Sequence, residues 1–326
     1  LPIQEVTVLV NGIATEVLKP MGSPAQKMHI DLPVALQVGR NDIELIAANA
    51  EATSFAESVY VNVAAPPTEP KSENKSKINV LAIGISDYAA SSGGFQDLPL
   101  AASDAEQFIA TAQQQSGGKL YASIQSRSLT NREATRTAIL DGLQWLVDNT
   151  TDGDTIAIFV SANGFVDSTK NFYIGTHEVD IDRPRATAIS WREFTRTLHA
   201  DLPSCRRLLF LDLHPTEQAV SPDIRNPLLD LAAPEMGTIF FSSNSLQQTS
   251  LPRPPGGIGY SAGGLQIALK DSTADVEPEQ PDSLLNANEI SQAWTDAVRT
   301  LSKNRFYPVA FTPEKSRRLA VFQLQD

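Results

Sequence analysis

The sequence predicts an α/β protein built on a mostly parallel sheet flanked by helices and preceded by a small all-β domain. Three observations predict it. Near-continuous apolar runs, Val80–Ile85, Thr155–Val160 and Leu208–Leu211, alternate with segments of helical pattern. Residues 1–64 hold only short runs of period 2 broken by turn residues. Between them, residues 65–77 are proline, small polar and charged residues that cannot bury surface, which marks a linker. The expected domains are therefore 1–64, a linker at 65–77, and 78–326.

In the first domain Val6–Val10 is strand-like and ends on Asn11-Gly12, a strong hairpin signal. Met28–Leu32 alternates as a second candidate strand, and Val38–Asp42 reads as a turn before Ile43–Ile46. Tyr60–Val63 closes the segment. About five short strands suggest an immunoglobulin-like sandwich, although shorter than that fold usually is.

In the second domain each apolar run has the character of a strand covered on both faces. Helices are expected over 101–115, from Thr130 to about Val147, after a capping box at Ser190–Glu193, and near 260–270 and 287–303. Further strands are expected at 121–128, at 238–242 and near 319–324. Strands alternating with helices imply βαβ units. Functional groups in such sheets collect beyond the carboxyl ends of the strands, here after Ile85, Val160, Leu211 and Phe241. Gly256-Gly257-Ile258-Gly259 lacks the spacing of a phosphate-binding loop and reads as an ordinary loop.

The net charge is −12, with no stripe of lysine and arginine along the chain, so neither nucleic acid nor an anionic membrane is expected as a partner. A basic ligand would be attracted. The single cysteine, Cys205, excludes an internal disulfide framework. The four histidines lack metal-ligand spacing, so no metal and no cofactor is expected. With no leader and no long apolar run, a cytoplasmic location is expected. A start at Leu1 rather than Met suggests a cut or processed chain with an upstream segment missing.

Five segments in order resemble a known family. They are NVLAIGISDY from Asn79 with LPLAASDA from Leu98, TNREATRTAI from Thr130, DGDTIAIFVSANG from Asp152, NFYIGTHEVD with ATAISWREF, and RRLLFLDLHPTEQA from Arg206. Together they resemble bacterial caspase-like and metacaspase peptidase domains over about residues 78–326. The resemblance implies a six-stranded, mostly parallel sheet. It also implies a cysteine thiolate that attacks the scissile carbonyl while a histidine moves the proton.

Both dyad positions have changed. The histidine position holds Asn163, which cannot exchange a proton near neutral pH, and the cysteine position holds His214, followed by Pro215 and Thr216. Gly164 remains as a possible piece of oxyanion-binding backbone. Cys205 lies at the amino end of its strand, roughly 20 Å from the active edge, and is expected to be a packed hydrophobe rather than a substitute nucleophile.

In the family, acidic residues hold an Arg or Lys side chain of the substrate. Asp104 and Asp212 match those positions, and Ser161 matches a serine just before the His-Gly site. The plainer reading is that Asp104 caps a helix and Asp212 binds loop amides. The expected function is an inactive pseudo-protease that binds a protein or peptide partner through a basic side chain. The competing expectations are an active cysteine endopeptidase with a rearranged site, and a purely architectural domain.

Overall fold

A computed structural model describes residues 2–10, 13–20, 27–36, 39–49, 57–63, 76–89, 95–221, 224–232, 237–246, 257–276 and 282–325. The chain divides into two units, Leu1–Glu73 and Asn74–Asp326.

In the first unit, β1 (Glu5–Val10), β2 (Ile13–Leu18), β3 (Gly39–Ala48) and β4 (Glu57–Val63) form one antiparallel sheet in the order β2-β1-β3-β4. Period 2 turns Val6, Val8 and Val10 to one buried face. Val10 pairs with Ile13, and the expected hairpin turn at Asn11-Gly12 lies outside the described residues. Two expectations fail here. Met28–Leu32 is not a strand, because its alternation buries no residue fully and no face fixes a register. The expected turn at Val38–Asp42 is largely strand: Gly39–Asp42 belong to β3 and pair with Tyr60–Val63. Long-range pairing overrides local turn composition.

Of the expected linker, residues 65–75 lie outside the described residues. Ser76 and Lys77 do not belong to it. They open β5 (Ser76–Gly84), pairing with Tyr121 and Ser123.

The second unit continues with α1 (Ala101–Gln113), β6 (Tyr121–Thr130), α2 (Arg136–Asn149), β7 (Thr155–Val166), β8 (Phe172–Ile174), α3 (Pro184–Thr187), β9 (Ile189–Ser190) and α4 (Trp191–Arg196). Then follow β10 (Arg206–Pro215), α5 (Leu228–Leu231), β11 (Thr238–Ser242), α6 (Tyr260–Lys270), β12 (Leu284–Asn286), α7 (Ala287–Leu301), β13 (Val309–Phe311) and β14 (Ala320–Gln323). The main sheet runs β6-β5-β7-β10-β11-β13, parallel except for β13. β8 and β9 extend it in antiparallel fashion from the end of β7. The expected last strand, β14, pairs with β12 outside the main sheet, and the edge place belongs to the short β13, which the sequence reading lacks.

The continuous apolar runs serve two cores. Ile83, Ile158, Val160 and Leu211 pack on one face with Leu143, Trp191 and Phe194. Their neighbours Ala82, Ala157, Phe159 and Phe210 pack on the other with Phe108, Leu265 and Trp294. α1 begins against the end of β5, where a Cβ on Gly84 would lie 2.1 Å from the Ala101 carbonyl oxygen. Only glycine permits that approach.

Local chemistry sets the helix starts. α2 begins later than expected: Asn131–Glu133 is a single 3-10 turn, and Thr135 is the cap, its hydroxyl accepting from Ala138 N. Ser190 does cap α4, accepting from Glu193 N. The carboxylate of Glu193 turns instead to Arg136 at 2.8 Å. Among the described residues no helix is long and apolar enough to cross a membrane.

Candidate functional site

Register brings the expected site residues together. Across β5, β7 and β10, Gly84 pairs with Ser161 and Ser161 with Asp212. Two residues further on, Asn163 pairs with His214, then Gly164 with Pro215. β7 and β10 are longer than the sequence suggests, so Ser161, Asn163, Gly164, His214 and Pro215 belong to strands rather than to the loops after them.

Period 2 fixes the face. Ser161 and Asn163 continue the row of Ala157 and Phe159, and Asp212 and His214 continue that of Leu208 and Phe210, on the side covered by α1. Phe108 of α1 lies against the rings of Phe159 and Phe210, with both centroid distances 5.0 Å. α1 returns along the strands to enter β6, so one turn back from Phe108, about 6 Å, matches two residues onward in β7, about 6.6 Å. Asp104 therefore stands over the row of Ser161 and Asp212.

All three are fully buried. Asp104 Oδ1 accepts from the Gly259 amide at 2.6 Å, so the expected glycine loop ends as the cap of α6 and is tied to α1. Asp212 Oδ1 accepts from the Ser243 hydroxyl at 2.6 Å. Ser161 Oγ has no hydrogen-bond partner among the described residues, a cost a ligand could relieve.

At the dyad positions, His214 is buried and its Nε2 lies 3.7 Å from Asp212 Oδ1, beyond hydrogen-bond length. Asn163 holds the segment that follows β5. Its amide nitrogen donates to the Tyr88 hydroxyl at 2.7 Å, and its side chain donates to the Gln96 carbonyl at 2.8 Å. Gly164 is a ladder residue whose carbonyl accepts from Thr216 N at 2.8 Å. Phe172 fills the place where a Gly164 side chain would go.

Cys205 precedes β10 at the opposite end of the sheet, nine residues before His214 and about 30 Å away along an extended strand. Burial pushes its thiol up, away from the thiolate. His199 is exposed on the turn after α4. Among the described residues no three His, Cys, Asp or Glu side chains are grouped to hold a metal.

An open cavity of about 930 Å³ lies at the same edge, lined in part by Phe165, Asp167, Thr216 and Gln218, without reaching Asn163 or His214. Burial works against ionisation of Asp167, but hydrogen bonds from Thr169 and Asn171 outweigh it and hold the carboxyl at about 2.

Four residues of this site escape the sequence reading: Tyr88, Gln96, Ser243 and Gly259. Only Ser243 carries a signal, as the residue directly after the carboxyl end of β11, where functional groups collect in such sheets.

No protein-family model matches the chain, and no curated protein matches it. Among solved structures it is similar to a structural-genomics protein from Geobacter sulfurreducens. The two are 14% identical with a TM-score of 0.54, over 77% of this chain and 100% of that one. At this identity the likeness is one of fold: α/β, with a mostly parallel central sheet flanked by helices.

Proposed function

We propose that this chain is a catalytically inactive caspase-like pseudo-protease that works in the cytoplasm as a protein-binding or regulatory module. The observation that carries the reading is the register pairing of Asn163 with His214, at the positions where the resemblance calls for histidine and cysteine. An amide has no proton to exchange near neutral pH, and an imidazole cannot form a thioester. The six-strand path with one antiparallel edge agrees with the caspase-like reading. The antiparallel β2-β1-β3-β4 sheet leaves room for the immunoglobulin-like reading of the first unit.

The ligand we assign to the site is an Arg or Lys side chain of a protein or peptide partner. The carboxylates of Asp104 and Asp212 and the hydroxyl of Ser161 form a set of hydrogen-bond acceptors on one buried face, the arrangement that a guanidinium or ammonium group engages. Each charge-assisted bond to a guanidinium is worth about 1.5–3 kcal/mol. Full burial means that the side chain enters only through local opening, which keeps the binding weak. Arginine is expected to bind more tightly than lysine.

Calorimetric titration of Arg-containing, Lys-containing and neutral peptides into wild type and Asp212→Asn tests this. The expected order is Arg, then Lys, then neutral, with the preference lost in the variant. Equal binding of all three peptides, or an unchanged variant, would reduce the pocket to a structural relic.

A further inference from the structure

The chain is acidic overall, yet the fold gathers cations at one place. A groove of about 700 Å³ lies on the α2–α4 side of the sheet, the opposite face from Asp104. Its lining carries six cationic side chains, Arg136, Lys170, Arg185, Arg192, Arg196 and Arg225, against two carboxylates. They come from five separate stretches of chain, so no basic run marks them in the sequence.

The two carboxylates are already engaged. Glu193 binds Arg136 at 2.8 Å, and Arg136 Nε also donates to the Ala188 carbonyl at 3.1 Å. Asp230 pairs with Arg225. These pairs pin the two walls. Arg185 lies beside a neutral group, the Tyr173 hydroxyl. The exposed Arg192 guanidinium has no hydrogen bond or ion pair among the described residues. Arg196 pairs at 3.7 Å with Asp201, which does not line the groove, and its side chain is 69% exposed.

We infer that this groove binds an acidic peptide segment of a partner protein in extended form. Arg192 and Arg196 stand one helical turn apart, about 6 Å. Alternate residues of an extended peptide are about 6.6 Å apart, so carboxylates at every second position meet the two guanidinium groups in step. A nucleic acid fits less well. The net charge of −12 repels a long polyanion, whereas a short peptide engages only the local positive field. This surface is independent of the acidic pocket, and neither depends on the other.

The test is fluorescence anisotropy on the full chain with three labelled probes: a twelve-residue peptide alternating Glu and Gly, its Lys-Gly counterpart, and a twelve-nucleotide oligothymidylate. The expected result is that the Glu-Gly peptide binds, more tightly as salt falls, that the oligothymidylate does not, and that any weak Lys-Gly binding at the acidic pocket disappears in Asp212→Asn. Arg192→Glu should weaken Glu-Gly binding at least about tenfold, and Arg192→Gln by less. Asp212→Asn should leave it unchanged, which separates this site from the acidic pocket. Thermal midpoints of the two Arg192 variants should stay at the wild-type value. The inference is overturned if the oligothymidylate binds wild type as well as the Glu-Gly peptide does, or if the Lys-Gly peptide binds Asp212→Asn as well as the Glu-Gly peptide does. It is equally overturned if both Arg192 variants keep wild-type affinity.

Discussion

Asn163 and His214 are Cα partners on adjacent parallel strands, fixed in place by the same ladder that pairs Ser161 with Asp212. Backbone hydrogen bonding, not the chemistry of the two side chains, holds them there. The protein is expected to hydrolyse no peptide with Arg, Lys or Asp at the cleavage site, with or without calcium, in a fluorogenic assay. Restoring the dyad by Asn163→His with His214→Cys should also fail. The first change removes the donor to the Gln96 carbonyl, and Pro215 stays in the strand beside the new thiol. Turnover by wild type that Cys205→Ala abolishes would overturn the inactive reading.

Gly84→Ala should be among the most damaging single changes in the chain. The added methyl meets the backbone of Ala101 and Ala102, which cannot swing aside as a side chain would. A loss of about 3 kcal/mol or more is expected from chemical denaturation. Gly164→Ala should cost less, because there the obstacle is the end of the Phe172 ring.

Asp154 predicts an acid-sensitive contribution to stability. Burial pushes its carboxyl up, but hydrogen bonds from the Thr151 hydroxyl and from the Lys77 and Thr151 amides outweigh this and hold it below the usual carboxylate range. A depressed folded-state value means that the contribution is complete above the unfolded value near 3.8 and is lost as pH falls through the folded one. Asp154→Asn should therefore cost about 1–2 kcal/mol near neutral pH. The gap between variant and wild type should close below about pH 4 in parallel denaturation curves.

The boundary between the units sets a truncation experiment. A fragment beginning at Asn74 should fold alone, since it keeps Ser76 and Lys77 in β5 and the Lys77 amide on Asp154. A fragment beginning at Ile78 loses those contacts and should melt several degrees lower. Equal melting of the two would show that the first two residues of β5 contribute nothing.

The buried strands of the larger unit were legible because each is an apolar run feeding two cores at once. Their true ends were not. Ser161, Asn163 and His214 are polar and read as lying beyond the strands, yet they stay in the ladder and are buried there, as is Asp212. The alternation of Met28–Leu32 misled for the converse reason, having no cover to bury it. α7 opens on a capping box, Asn286 with Glu289, a pattern that local sequence alone carries. The basic groove was invisible for a different reason. Its cations are distant in sequence, and an average over an acidic chain conceals them.

The amide of Gly259 donates to Asp104 across 155 positions of sequence. That proton senses the charge on the carboxylate it touches. Anything that arrives at Asp104, or protonates it, must change how strongly the amide is polarised. A single glycine resonance, recorded on the whole protein during titration with a ligand, would thus act as an indicator dye for the buried acid.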